Sequence, residues 1–135
     1  MYVVLPLDQW RLANFGTITN SGPAADDADP DHDGLANLVE YALGLNPNTP
    51  NNDPLSFASV AGRLTITYQR PHPAPVDVSY IAEVSADLTS GVWLSGPAYT
   101  TQIVVNHNDG TETVSVTDLA GIAAPAHYLR VRFSR

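Results

Sequence analysis

The chain has 135 residues, enough for one compact domain with a small appendage and too few for a multidomain enzyme. Its 14 acidic and 6 basic residues give a net charge of −8, which argues against a nucleic-acid partner. Cysteine is absent, excluding a disulfide framework, a thiolate zinc site and a cysteine nucleophile.

The N-terminal run Tyr2 to Leu7 is too short to span a bilayer and lacks the basic flank of a signal peptide. No membrane insertion is predicted, and either a removed export signal or an excised piece is expected. Leu7 to Phe15 has helix-forming composition and ends at Gly16, which predicts a short helix. A loop follows from Thr17 to Ala28. Next, Leu35, Leu38, Val39, Ala42 and Leu43 fall at i, i+3, i+4, i+7 and i+8, the stripe of a helix over 35–43. Its residues Leu38, Val39, Ala42 and Leu43 are expected to face the sandwich formed by the rest of the chain. Gly44 stands where a left-handed cap is wanted, Leu45 can fold back on the last turn, and Pro47 bars continuation. The Asn/Pro-rich stretch Asn46 to Pro54 then divides the chain into segments 1–54 and 55–135.

Beyond Pro54 the apolar period changes to two. Strands are predicted at Leu55 to Val60, Leu64 to Tyr68, Val76 to Val84, Val92 to Ser95, Tyr99 to Val105, Thr113 to Asp118 and Leu129 to Phe133. Asn108-Asp109-Gly110 is a hairpin turn. Arg70 to Pro75 carries three prolines and reads as a loop or edge crossing. The fold class is therefore mainly β, an antiparallel β-sandwich of about seven strands, immunoglobulin- or fibronectin-like, preceded by a small helical subdomain.

One constellation carries chemistry. Asp29-Pro-Asp31-His-Asp33-Gly34-Leu35-Ala-Asn37-Leu-Val-Glu40 fills a twelve-residue calcium loop. Carboxylates at positions 1, 3 and 5 converge, and Gly34 permits the sharp turn. Leu35 offers its carbonyl, Asn37 an amide oxygen, directly or through water, and Glu40 a bidentate carboxylate. About seven oxygens with no nitrogen or sulfur suit calcium, then magnesium, and exclude zinc and copper. Four carboxylates in twelve residues without a local Lys or Arg repel one another unless a cation lies between them. Asp26 and Asp27 lie outside this register and either serve a second ion or none, while His32 is expected to point outward.

The run from Asp29 through Asn37, Glu40-Tyr-Ala-Leu-Gly-Leu45 and Pro47 resembles the dockerin-like and thrombospondin type 3-like calcium motifs found near the C-terminus of large exported bacterial proteins. Trp10 and Phe15 upstream, and Tyr80-Ile-Ala-Glu-Val-Ser-Ala-Asp-Leu88 leading to Trp93, extend the resemblance. It implies a non-catalytic extracellular module with Asp29, Asp31, Asp33, Asn37 and Glu40 as ligands. A dockerin carries two such loops and this chain has one, so cohesin binding is not implied.

No enzyme is predicted. His32, His72, His107 and His127 are scattered, and no nucleophile elbow, zinc helix or phosphate loop occurs. Glu83 is expected to be a cross-strand partner of an arginine. Three roles remain open: a calcium-stabilised structural or adhesion module; a carbohydrate-binding module in which Trp93, Tyr99 or Tyr128 stacks on a glycan, with core packing expected for Trp93; and a self-assembling fibre subunit whose uncharged Tyr2-Val3-Val4-Leu5 segment adds to a neighbour's sheet. Calcium is abundant outside cells, so an extracellular, secreted or surface location is expected.

Overall fold

The computed structural model describes residues 4–120 and 127–135. Helix α1 (Pro6–Phe15) opens on a proline, whose missing N–H is an orphan position in any helix, and stops at Gly16 in the left-handed conformation. Helix α2 (Asn37–Leu43) closes likewise at Gly44, φ 73°. Leu45 N–H returns to Glu40 O at 2.8 Å, and the Leu45 side chain packs on the core. α2 starts two residues later than the apolar spacing predicts. Leu35 N–H is taken by Asp33 Oδ1 at 2.8 Å, and Ala36 is extended at the N-cap, so the loop chemistry overrides the helical stripe.

Seven strands follow: β1 (Leu55–Val60), β2 (Arg63–Pro71), β3 (Ser79–Ser85), β4 (Leu94–Ser95), β5 (Thr100–Asn106), β6 (Thr111–Asp118) and β7 (Tyr128–Ser134). They form two antiparallel sheets, ordered β1-β2-β6-β5 and β4-β3-β7. The mainly β, seven-strand expectation holds. Ile66 and Tyr68 of β2 and Val114 and Val116 of β6 are buried from one sheet, and Tyr80, Ala82, Leu129, Val131 and Phe133 meet them from the other. Each such burial is worth roughly 2 kcal/mol. The opposite face of the first sheet is threonine- and serine-rich, with hydroxyl pairs Thr65–Thr117 and Thr67–Ser115 at 3.1 and 3.2 Å.

The helices pack against this sandwich. Leu43 is part of its core, with Val39 against it, while Ala42 and Leu38 join Leu7, Tyr41, Val78 and Trp10 in a second cluster. Asp77 ties the two parts together by accepting Leu7 N–H at 2.8 Å and Tyr41 Oη–H at 2.5 Å.

Three strands depart most from the sequence expectation. β3 begins at Ser79 rather than Val76, which is exposed, because Asp77 and Val78 are committed to the helical layer. β4 has only two residues. β2 runs on through Arg70 and Pro71, in the stretch predicted as a loop or edge crossing. The last β1 pair is Leu55 with Tyr68, so Pro71 has a ladder neighbour only on β6 and its missing N–H interrupts nothing. Trp93 also differs: it lies outside the core with the Arg130 guanidinium 3.8 Å from its ring centroid.

Candidate metal centre

The predicted loop folds around its own carboxylates. Asp29 Oδ2 accepts Gly34 N–H at 2.9 Å and Asp29 Oδ1 accepts Asp33 N–H at 3.2 Å, closing the turn that Gly34 (φ 90°) makes possible. Asp31 Oδ1 also accepts from Asp33 N–H, at 3.3 Å. Asp29, Asp31 and Asp33 each bring a carboxylate oxygen within 4.8 Å of the other two. The Asn37 and Leu38 N–H groups at the head of α2 are held by Ala28 O and Asp26 O at 2.9 and 3.0 Å. This ties the helix to the chain entering the loop.

Glu40 lies on the first turn of α2 and has no exposed surface. Both of its carboxylate oxygens lack a hydrogen-bond partner. Asn37 is equally buried; its Nδ2 donates to Pro23 O at 2.7 Å and Ala25 O at 2.8 Å, which leaves Oδ1 unpartnered. Among the described residues, the buried side-chain polar atoms without a partner are these three oxygens and Asp31 Oδ2. All four belong to predicted ligands.

Burial, followed by the charges of Asp31, Asp33 and Asp29, pushes the Glu40 carboxyl up to about 8. Burial and the neighbouring carboxylates also raise Asp31. Asp33 moves the other way: burial alone would raise it, but the N–H groups of Asn51 and Leu35 outweigh that and hold it low. The Asn51 N–H bond to Asp33 Oδ2, 2.8 Å, fastens the Asn/Pro linker to the loop. Such an oxygen-only set, with bare buried oxygens and no arginine in an ion pair with Asp29, Asp31, Asp33 or Glu40 among the described residues, has the donor chemistry a hard divalent cation requires.

The other predicted positions are as follows. Asp26 is engaged by Arg11 and by Arg135 Nη1 at 3.1 Å, so it is committed to ion pairs; Asp27 is exposed, as is His32. Glu83 accepts from Arg130 Nε at 2.8 Å and Arg132 Nε at 3.0 Å, the cross-strand pairing expected of it. Tyr99 and Tyr128 are both partly exposed, and Tyr128 lies opposite Ser85 on β3. Of the Tyr2 to Leu5 segment, Tyr2 and Val3 lie outside the described residues; Val4 and Leu5 are exposed and belong to neither sheet.

Several contributors were not legible beforehand. Arg11 is buried on α1, donating to Ala24 O at 3.2 Å and Asp8 at 2.9 Å and pairing with Asp26; only the Asp8–Arg11 spacing hinted at it. Two histidine–carboxylate pairs also form, His72 with Glu112 at 2.7 Å and His127 with the buried Asp118. A cavity of about 430 Å3 beside Leu43, Gly44, Arg70 and Pro71 has none of the predicted ligands in its wall. No family model, curated protein or solved structure matches the chain.

Proposed function

We propose that the chain is a non-catalytic module held together by one calcium ion. Asp29, Asp31, Asp33, the Leu35 carbonyl, Asn37 and Glu40 are its ligands in this reading. The observation that carries it is Glu40: a carboxylate with no exposed surface, neither oxygen hydrogen-bonded, beside three aspartates. Leaving such a group uncompensated costs several kcal/mol, whereas a divalent ion satisfies both oxygens at once. Magnesium suits the site less well, since it keeps several waters and two of the donors, Asn37 and Glu40, are buried away from water.

The ion acts as a clip. It joins the loop to the first turn of α2, while Asp33 and Asn51 carry the link to the linker that enters β1. The dockerin-like or thrombospondin type 3-like resemblance, and a structural or adhesion role in a secreted or surface protein of a bacterium, belong to this reading. Millimolar extracellular calcium would keep the site filled. An immunoglobulin- or fibronectin-like sandwich also belongs to this reading, supported by two antiparallel sheets ordered β1-β2-β6-β5 and β4-β3-β7.

Calorimetric titration of chelator-stripped protein tests the proposal. One calcium per chain, with binding abolished in Asp31→Asn combined with Glu40→Gln, is expected. A flat titration at millimolar calcium would overturn it.

A further inference from the structure

The two sheets differ in size, and the difference leaves apolar edges. In the first sheet β1 and β5 are the outer strands; in the second they are β7 and the two-residue β4. Edge strands usually carry charge, proline or bulges that block pairing with another chain. β7 presents Arg130 and Arg132, and β4 is too short to template anything. β1 reads Leu-Ser-Phe-Ala-Ser-Val and β5 reads Thr-Thr-Gln-Ile-Val-Val-Asn, with no charge, proline or glycine in either. In a chain of net charge −8, these are the long edges along which two copies can meet without burying a charge.

Both edges overhang the smaller sheet. Phe57 shares its face with Ile66, yet it is 69% exposed; Val104 shares its face with Val114, yet it is 42% exposed. On the opposite, outward face of the same strands, Val60 of β1 and Ile103 and Val105 of β5 are 56, 64 and 52% exposed. Beside the start of β5, where β4 stops short, lies an apolar cavity of about 360 Å3 lined by Val84, Val92, Leu94, Tyr99 and His127.

We infer that copies of this chain associate head to tail, β1 of one adding antiparallel to β5 of the next. The strand count permits it. In the order β1-β2-β6-β5, with every neighbour antiparallel, β1 and β5 run in opposite senses. A second copy in the same orientation therefore offers β1 to β5 with the correct polarity, and the sheet continues without closing. Register favours it as well. Phe57, Ile66, Val116 and Gln102 stand in one row across the sheet. The incoming Phe57 then arrives beside Gln102, three residues along the chain from Tyr99 at the cavity, where its ring covers Val104 and the uncovered margin beside β4.

The two edges together offer on the order of 700 Å2 of apolar side chain, below the roughly 1,200 Å2 of total area at which standard interfaces begin, so each joint is weak even after the strand backbones pair. This inference does not depend on an ion in the acidic loop.

Sedimentation velocity of the full chain over a rising concentration series, in calcium-containing buffer, tests it with two blocked variants. Ile103→Lys closes the β5 edge and Phe57→Lys closes the β1 edge; both positions are exposed, and matching circular dichroism checks their folds, with Val105→Lys and Val60→Lys as substitutes. The wild-type mass is expected to pass twice the monomer value. Each variant alone stays monomeric, and an equimolar mixture forms dimers and stops there. A wild type that remains monomeric, a mixture that fails to pair, or a Phe57→Lys variant that dimerises alone through β5 would overturn head-to-tail pairing.

Discussion

If Glu40 ligates calcium, as proposed, replacing it with glutamine separates the contribution of the ion from that of the fold. The substitution preserves volume and removes one charge from a buried site shared with Asp29, Asp31 and Asp33. For a site with a dissociation constant of ~10 µM in 2 mM calcium, linkage stabilises the folded wild type by about 3 kcal/mol. At this chain length, that raises the melting midpoint by roughly 10 °C. In chelator the ordering reverses. The wild type must then keep a bare carboxyl among carboxylates, and a carboxyl pushed up to about 8 is stabilised by holding its proton. Glutamine has no charge to hold back, so the stripped variant should melt at or above the stripped wild type. Adding calcium should raise it by less than ~3 °C, because the bidentate ligand is gone. Thermal unfolding followed by circular dichroism, with and without chelator, measures all four midpoints. Asp109→Asn, at an exposed hairpin, serves as a charge-matched control that keeps the full calcium response. A wild-type midpoint indifferent to chelator, or a Glu40→Gln chain that retains the whole rise, would refute the reasoning.

Three further substitutions probe the frame around the site. Gly44→Ala places a Cβ 3.1 Å from Pro71 Cγ at φ 73°, and the left-handed cap disfavours it independently; a loss of ~2 kcal/mol is expected, and denaturant midpoints equal to wild type would contradict the cap assignment. Glu83→Gln tests the acid limb. Burial alone would raise Glu83, but hydrogen bonds from Arg130 and Arg132 outweigh it and lower the folded value below the ordinary 4.5. The pairing therefore contributes stability above that pH and loses it as pH falls through the lower folded value. The variant should be less stable by ~1–2 kcal/mol at neutral pH and show a flatter decline on acidification; parallel wild-type and variant curves would exclude the coupling. Arg11→Leu leaves Asp26 with only Arg135 and frees Ala24 O, so ~2–4 kcal/mol of stability and part of the calcium affinity should be lost together; calorimetry showing wild-type affinity would uncouple α1 from the loop.

What could be read from sequence was what local chemistry dictates. The glycines ending α1 and α2, the period-two strands and the Asn-Asp-Gly hairpin are decided within a few residues, and they stand where the pattern put them save for the ends of β2, β3 and β4. The acidic register was legible for the same reason: each position has its own geometric requirement, so coincidence is constrained at every step. The misses are non-local. Val76 and Val78 alternate like a strand, but Asp77 between them is needed by Leu7 and Tyr41, distant in sequence. Trp93 has the composition of a core residue, yet Arg130 arrives two strands away and covers it from outside. The burial of Arg11 depends on Asp26 and Ala24 coming round to it, and no period announces that. Sheet order has the same origin: the β5–β6 hairpin joins β2 through a long-range ladder that no turn signal specifies.

The distribution of arginine completes the electrostatic argument for the clip. Arg11 serves Asp8 and Asp26, Arg70 serves Glu112, Arg130 and Arg132 share Glu83, and Arg135 returns to Asp26. Arg63 stands at the β1–β2 turn, apart from the loop. A chain with so few cations has assigned them to buried or half-buried carboxylates elsewhere, while the densest carboxylate group has none. Within the 4.8 Å that separates Asp29, Asp31 and Asp33, each pair of those three charges repels by about 1 kcal/mol in water and about 3 kcal/mol at an intermediate dielectric. The backbone N–H bonds to Asp29, Asp31 and Asp33 offset part of that for three members of the group, but among the described residues nothing does so for Glu40. A divalent ion at this point, lowering the net charge from −8 to −6, relieves repulsion and desolvation in one step. The module's integrity would then follow the calcium supply of its surroundings.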